Sequence, residues 1–201
     1  MDAGFAGTAC SAPPDLLVSD YDLTFMADIA VHDRLAHLEY LGDATQFALQ
    51  MHRMISYSPL FENFNMAEIR LMSHFMHVYR AGAGQEIIHE GEQGDYMMLT
   101  LEGNVNVFKQ DRWNAPKLIA SVGAGKTLGE MSMIDGEPRF ASCVAAEPCV
   151  FAVLSRENLA RIILEQPILG AKILMELVLM LSQRLRQTSL QLVALMDDEP
   201  R

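Results

Sequence analysis

Two charged side chains, Glu130 and Arg139, lie on a short segment that glycine and proline interrupt, between two apolar runs typical of strands. The planar fork of an arginine can clamp a phosphate, and a carboxylate can accept a hydrogen bond from a sugar hydroxyl. Gly129 lets the backbone approach a ligand closely, and residues 130–135 suffice for a helical turn whose free N–H groups would face a phosphate. This pattern predicts a site for a small anion that also carries hydroxyl groups.

The same segment resembles the phosphate-binding cassette of the cyclic-nucleotide-binding domain family. That cassette has a Gly-Glu pair, small and apolar residues, a short loop, a proline or similar residue, an arginine, any residue and an alanine. The matching residues here are Gly129, Glu130, Pro138, Arg139 and Ala141. The resemblance implies that Arg139 binds a cyclic phosphate and Glu130 the ribose 2′-hydroxyl. It implies further cassette contacts at Gly129, Met131, Ser132, Phe140 and Ala141. The alternative is an ordinary surface turn with a solvated glutamate and arginine.

Phe140 departs from the family pattern, which usually has a small or hydroxyl-bearing residue directly after the arginine. In family members tuned for cGMP this residue is often a threonine that contacts the guanine. Phenylalanine cannot make that hydrogen bond, which favours cAMP over cGMP. Its bulk either packs beside the base or crowds the pocket. A cyclic dinucleotide such as c-di-GMP stays an alternative ligand, although it needs two phosphates neutralised and the cassette offers only Arg139.

The chain around the cassette predicts an antiparallel β-roll. Residues 118–122 and 144–154 are typical of strands, residues 89–95 form a Gly-rich turn, and Glu102-Gly103-Asn104 supplies a hairpin turn. Apolar residues alternate with polar ones at Met97, Leu99, Leu101, Val105 and Val107. We therefore expect a mainly β fold with flanking helices: a jelly-roll-like β-roll of the cyclic-nucleotide-binding type, with a helix in residues 58–75 leading into it.

The hydrophobic period changes after the roll, which predicts two helices. Ser155 is a typical N-cap, and Pro167 opens a long helix that extends to about Met196. Residues spaced alternately by about four and three form a heptad seam. These are Leu174, Val178, Leu181, Leu185, Thr188, Leu192 and Leu195. We expect this seam to hold a parallel homodimer, with Leu174, Val178, Leu181, Leu185 and Leu192 in the interface; an intramolecular core stripe is the alternative.

The pair Thr188-Ser189 near the end of this helix adds to the resemblance. The run from Arg184 to Ser189 is similar to the same stretch in the catabolite activators (cAMP receptor proteins), a branch of the family. There a Thr-Ser pair reads the adenine, and one of the two residues reaches across the dimer. The resemblance implies ligand-binding roles for Thr188 and Ser189. Two ordinary hydroxyls on a helix surface are the alternative.

Length and composition predict one main domain with flanking segments. The chain has 201 residues and a formal net charge of −11. We expect a disordered N-terminus (1–19), an accessory helical segment (20–57), the roll with its leading helix (58–154), a hinge helix and dimerisation helix (155–196) and a tail (197–201). The acidic balance and a chain that ends where the catabolite activators continue into a DNA-binding module predict no nucleic-acid binding.

Cys10, Cys143 and Cys149 have no metal spacing, and no signal peptide or membrane span is evident, so a cytoplasmic protein with reduced cysteines is expected. These features predict a non-catalytic cAMP sensor that signals through its helices to an unknown effector protein, with no cofactor or metal. Three alternatives stay open: a c-di-GMP binder, a nucleotide-free interaction scaffold, and a cupin-like metal enzyme using His89, Glu90 and Glu92.

Overall fold

The computed structural model describes residues 31–197, so the predicted disordered N-terminus and nearly all of the tail lie outside the described residues. Two antiparallel sheets form the roll. The first has the strand order β1 (Glu39–Asp43), β2 (His77–Ala81), β9 (Cys149–Ser155), β4 (Tyr96–Glu102) and β7 (Thr127–Leu128). The second has the order β3 (Glu86–Ile88), β8 (Ser142–Ala145), β5 (Val105–Gln110) and β6 (Pro116–Val122). The mainly β roll with flanking helices is confirmed.

Besides the helical residues 31–34, five α-helices accompany the sheets in the described part of the chain. They are α1 (Ala48–Arg53), α2 (Met66–Ser73), α3 (Glu130–Asp135), α4 (Arg156–Glu165) and α5 (Pro167–Asp197). Short 3₁₀ turns lie at Ala44–Phe47, Met54–Ser56 and Pro59–Phe61. The last of these turns and α2 form the predicted lead into the roll. Asn65 caps α2 by accepting a hydrogen bond from the N–H of Glu68, whose side chain accepts one from the N–H of Asn65.

The hydrophobic interior has two parts, one on each face of the first sheet. The inter-sheet core lies between the sheets and includes Tyr79, Ile88, Met98 and Phe151. The helical core lies between the first sheet and the helices, and includes Met72, Met97, Leu99, Ile162 and Leu177. Because both faces are covered, β9 is buried along its whole length. In β4 the apolar residues alternate with polar ones, but the polar positions do not all face solvent, since Thr100 is buried as well.

The run 144–154, typical of strands, is divided between two sheets. The chain turns at residues 146–148, which separate β8 from β9. Pro148 has no N–H to give to a ladder, so it suits this turn. Gly103 occupies the predicted β4–β5 hairpin turn with a φ of 85°, and a Cβ there would lie 2.5 Å from the carbonyl oxygen of Pro148. The hairpin and the 146–148 turn therefore pack backbone to backbone.

The prediction of an accessory helical segment at residues 20–57 is wrong for part of its length. Residues 31–34 and 48–53 are helical, but Glu39–Asp43 is strand β1 and pairs with β2. Leu35 and Leu38 are buried in the inter-sheet core. Pairing with the edge of the first sheet overrides the helical spacing of the leucines, because it satisfies the backbone of both strands. The described part of this segment therefore packs into the roll through its leucines and β1.

The C-terminal helices begin and end where the sequence predicted. The Ser155 hydroxyl caps α4 by accepting from the N–H of Asn158 at 3.0 Å. Helix α5 faces the helical core with a single stripe, formed by Leu169, Ile173, Leu177 and Met180. The predicted seam lies on a different face. Within residues 31–197 no helix combines the length and the apolar character that crossing a membrane requires.

Cys143 and Cys149 are buried and form no disulfide. Burial raises the pKa of the Cys143 thiol to about 12. Burial also raises the pKa of Cys149. Both thiols therefore stay protonated and behave as small apolar side chains. Cys10 lies outside the described residues.

Gly170 provides a test of the crossing between α4 and α5. A Cβ at this position would lie 2.7 Å from the Cα of Ile163, so the two helices touch through their backbones. Glycine to alanine normally stabilises a helix, but here we expect Gly170→Ala to lower the free energy of unfolding by about 1–3 kcal/mol through overpacking. Chemical denaturation measures the change. Gly82→Ala is the control, because its Cβ would meet only Gln85 Oε1 at 3.8 Å; a stabilised Gly170→Ala variant would contradict the close crossing.

Candidate functional site

The cassette is built around the short helix α3. Gly129 precedes it with a φ of 74°, in the left-handed region that disfavours other residues. A Cβ on Gly129 would also lie 2.5 Å from Nη1 of Arg139. The predicted helical turn at residues 130–135 is therefore present, and the glycine before it provides both the turn and the space for the arginine.

Arg139 is buried, with 2% of its surface exposed. Its Nη1 donates to the carbonyl oxygens of Gly129 at 2.8 Å and Tyr96 at 2.9 Å. Its Nε and Nη2 are buried and have no hydrogen-bond partner among residues 31–197. Such an arrangement is costly for a charged group, so the free edge of the guanidinium fits an anion.

Two neighbours fix the plane of this guanidinium. Its Cζ lies 4.2 Å from the centroid of the Tyr96 ring. Gly94 packs so closely that a Cβ there would collide with Nε, Cζ and Nη2 of Arg139. Burial raises the pKa of the Tyr96 hydroxyl, and the Arg139 charge opposes that rise. The arginine is thus held in place before any ligand arrives.

Glu130 is equally buried, at 2% exposure, and uses only one of its two oxygens. Its Oε1 pairs with Nη1 of Arg184, whose Nη2 donates to the carbonyl oxygen of Thr127 at 2.9 Å. Its Oε2 is buried without a partner in the described chain. A hydroxyl donor would satisfy this oxygen. Arg184 belongs to α5, so the long helix is attached directly to the cassette.

Arg156, the first residue of α4, holds the other end of the cassette helix. Its Nε donates to the carbonyl oxygen of Met133 at 2.6 Å, and its Nη2 to that of Ser132 at 2.7 Å. A positive charge is favourable at the carbonyl end of a helix. Neither Arg156 nor Arg184 was predicted from the sequence to contact the cassette. The only signal for Arg184 was its short distance in sequence from the Thr188-Ser189 pair.

The remaining predicted cassette residues differ in exposure. Ser132 and Ala141 are buried, whereas Met131 is exposed. Phe140 is 54% exposed, and Lys109 Nζ lies 4.5 Å above its ring while donating to its carbonyl oxygen at 2.8 Å. Lys109 also pairs with Glu90 at 2.6 Å, and this hydrogen bond lowers the Glu90 pKa. The Phe140 ring therefore lies at the protein surface beside the site.

Thr188 and Ser189 lie on the exposed part of α5, beyond Arg184. Their hydroxyls donate to the helix carbonyls of Arg184 at 3.0 Å and Leu185 at 2.9 Å. The structure thus brings Glu130, Arg139 and Arg184 together but leaves the predicted base-reading pair on the surface of this single chain.

The predicted metal-binding alternative has little support in the described chain. His89 Nδ1 lies 2.9 Å from Glu86 Oε1, and that hydrogen bond raises the His89 pKa. Glu90 is paired with Lys109 as described above. Across residues 31–197, no three His, Cys, Asp or Glu side chains are grouped closely enough to hold a metal ion.

Comparisons with known proteins agree with this geometry. The family model described as the cyclic nucleotide-binding domain matches residues 79–166. The crystal structure of a cyclic nucleotide-binding domain from Methylobacillus flagellatus superposes with a TM-score of 0.72 at 39% identity, covering 78% of this chain and 88% of that one.

Two relatives carry names that refer to cAMP. The cyclic AMP receptor protein of Thermus thermophilus is 30% identical over 144 residues, covering 72% of this chain and 65% of that protein. The cAMP-dependent protein kinase regulatory subunit of Yarrowia lipolytica is 28% identical over 115 residues, covering 57% of this chain and 29% of that protein. The chain thus spans less than two thirds of either relative. With this sheet topology, this cassette and these matches, the chain belongs to the cyclic nucleotide-binding domain family.

Proposed function

We propose that this protein is a cAMP sensor without catalytic activity. The cyclic phosphate binds Nε and Nη2 of Arg139, and the ribose 2′-hydroxyl donates to Oε2 of Glu130. The observation that carries the proposal is the pair of buried, unpartnered polar edges on Arg139 and Glu130. Arg139 supplies hydrogen-bond donors for a phosphate, and Glu130 supplies an acceptor for a neighbouring hydroxyl.

The charge of the site supports a ligand with one negative charge. Arg139 and Arg184 contribute two positive charges and Glu130 one negative charge, which leaves a net charge of +1 among these buried or half-buried groups. A cyclic phosphodiester carries one negative charge and balances this site. A cyclic dinucleotide carries two, so its second phosphate would have to be neutralised elsewhere.

The seam on α5 supports a homodimer. Val178 and Leu185 are 60% and 69% exposed, and Leu174, Leu192 and Leu195 are exposed as well, while Leu181 is half-buried. A different stripe of α5 packs into the helical core, and the seam residues do not belong to that core in the described chain. A row of exposed apolar residues on one helix fits a second copy of that helix.

The same helix links the dimer to the ligand. Arg184 lies between Leu181 and Leu185 in sequence and pairs with the carboxylate proposed to bind the ribose. Thr188 and Ser189 follow on the same helix and read the adenine in the assembled dimer. Nucleotide binding then changes the geometry of α4 and α5, which an effector protein reads; nucleic-acid binding is not expected.

A calorimetric titration of the full chain against cAMP, cGMP and c-di-GMP tests the ligand. We expect cAMP to bind more tightly than cGMP by about 1–2 kcal/mol, because one or two neutral hydrogen bonds to the base distinguish them. Equal or reversed affinities would refute the adenine-reading role of Thr188 and Ser189. Binding of c-di-GMP alone would favour the dinucleotide alternative, and no binding would favour the nucleotide-free scaffold.

Arg139→Ala tests the phosphate contact. The loss of charge-assisted hydrogen bonds of about 1.5–3 kcal/mol each should weaken cAMP binding by at least one to two orders of magnitude. Arg139→Lys should not restore it, because an ammonium lacks the fork. Arg112→Ala, at an exposed position where the guanidinium lies 3.9 Å from the Trp113 ring, is the control and should bind like wild type. Wild-type affinity in Arg139→Ala would show that the phosphate binds elsewhere.

A double variant, Val178→Asp with Leu185→Asp, tests the dimer. Both positions are exposed in the single chain, so the substitutions leave the helical core intact but place charges in the seam. We expect a folded monomer in sedimentation analysis that binds cAMP more weakly. Leu190→Asp, 71% exposed but off the seam, is the control and should stay dimeric. A dimeric double variant would show that the seam is not the interface, and a monomer with unchanged affinity would show that dimer and ligand are uncoupled.

A further inference from the structure

The segment that precedes the matched family region is packed into the roll beside the site. We call residues 31–43 the N-terminal strap. Its Leu35 is fully buried, and Val31 and Leu38 are nearly so, in the same inter-sheet core as Tyr96. The strap ends in β1, which pairs with β2. It is therefore anchored on both sides of the arginine it carries, Arg34.

Arg34 connects the strap to the loop that contacts Arg139. Its Nη1 lies 2.7 Å from Oδ1 of Asp95, across 61 residues of sequence. The carbonyl oxygen of Asp95 accepts a hydrogen bond from the N–H of Arg156 at 2.7 Å. Asp95 is thus held from one side by the strap and from the other by the first residue of α4.

The residues on either side of Asp95 both touch the phosphate-binding arginine. Gly94 packs against the guanidinium of Arg139 with no space for a Cβ. Tyr96 supplies the ring at 4.2 Å from Cζ and a carbonyl oxygen at 2.9 Å from Nη1. Any movement of Asp95 is therefore passed to the plane of the guanidinium.

A cavity of about 210 Å³ separates the strap, the loop and the end of the cassette helix, and its lining residues are Arg34, Gln93, Gly94, Asp95, Gly136 and Arg156. Because this cavity is open, polar contacts along its lining contribute to holding the loop on this side. The Arg34–Asp95 ion pair is the contact that the strap provides.

We propose that the N-terminal strap is a positioning element of the nucleotide site, in which Arg34 acts through Asp95 and Gly94 to orient the free Nε and Nη2 edge of Arg139. Arg34 is a positioning residue and does not touch the ligand. The effect on nucleotide affinity rests on the proposed function, whereas the effect on Arg139 itself does not require a ligand.

Arg34→Ala, compared with Arg80→Ala, tests the proposal. Arg80 pairs with Glu39 at 3.1 Å and also ties the strap to the roll, at a similar exposure but through β1 and β2. The readout is the hydrogen-exchange rate of the Arg139 Nε–H group, measured by NMR without ligand. The signal of this group is assigned by its absence in Arg139→Lys. We expect the exchange rate to rise about two- to fivefold in Arg34→Ala, because this factor corresponds to the free energy of an exposed ion pair. The exchange rate should stay unchanged in Arg80→Ala. Arg34→Lys, which keeps the charge, should restore most of the protection.

A cAMP titration of the same variants gives the functional readout. Affinity should fall about two- to fivefold in Arg34→Ala and not in Arg80→Ala. In Gly94→Ala the added Cβ displaces the guanidinium directly, so cAMP affinity should fall about tenfold or more. This variant shows the effect of a displaced Arg139, which the effect of Arg34→Ala should not exceed. Unchanged exchange in Arg34→Ala, or an equal change in Arg80→Ala, overturns the proposal even if wild type binds cAMP. A wild type that binds no nucleotide, with the expected exchange pattern, refutes the proposed function and leaves the positioning role supported.

Discussion

The burial of the Arg139 guanidinium is the constraint on which the site depends. A buried charge with two unpaired donors is unfavourable, so the fold must hold it in place with other contacts. Those contacts are two carbonyl oxygens, an aromatic ring and the absence of side chains at Gly94 and Gly129. The unpaired donors cost the folded chain stability. An anionic ligand that accepts hydrogen bonds from them recovers this free energy, and the arginine does not have to be reordered on binding.

The cassette helix is held at its two ends by arginines from different helices. Arg184 of α5 binds Glu130 at its beginning, and Arg156 of α4 binds the Ser132 and Met133 carbonyls near its end. A six-residue helix has little intrinsic stability, so these contacts decide where it lies. Any shift of the cassette on ligand binding must therefore move α4 and α5 or break one of these contacts, and this gives the roll a physical connection to its C-terminal helices.

Local signals made the cassette and the helix ends predictable from the sequence. Gly129 and Gly103 are needed for turns with positive φ, and Ser155 satisfies an N–H within its own helix. The contacts that were missed join residues far apart in the chain: Arg184 and Glu130 are separated by 54 residues, and Arg34 and Asp95 by 61. β1 was mistaken for a helix for the same reason, because pairing with β2 and not its own leucine spacing determines its conformation.

The two oxygens of Glu130 determine how ligand and helix interact in the proposed complex. Oε1 already binds Arg184, and Oε2 is the oxygen without a partner. A ribose hydroxyl that donates to Oε2 does not displace Arg184, so nucleotide and helix share the carboxylate without competing for it. Each contact also restricts the rotation of that side chain and lowers the entropy cost of forming the other. Linkage then makes the coupling positive: docking of α5 strengthens nucleotide binding, and the nucleotide strengthens docking of α5 by the same factor.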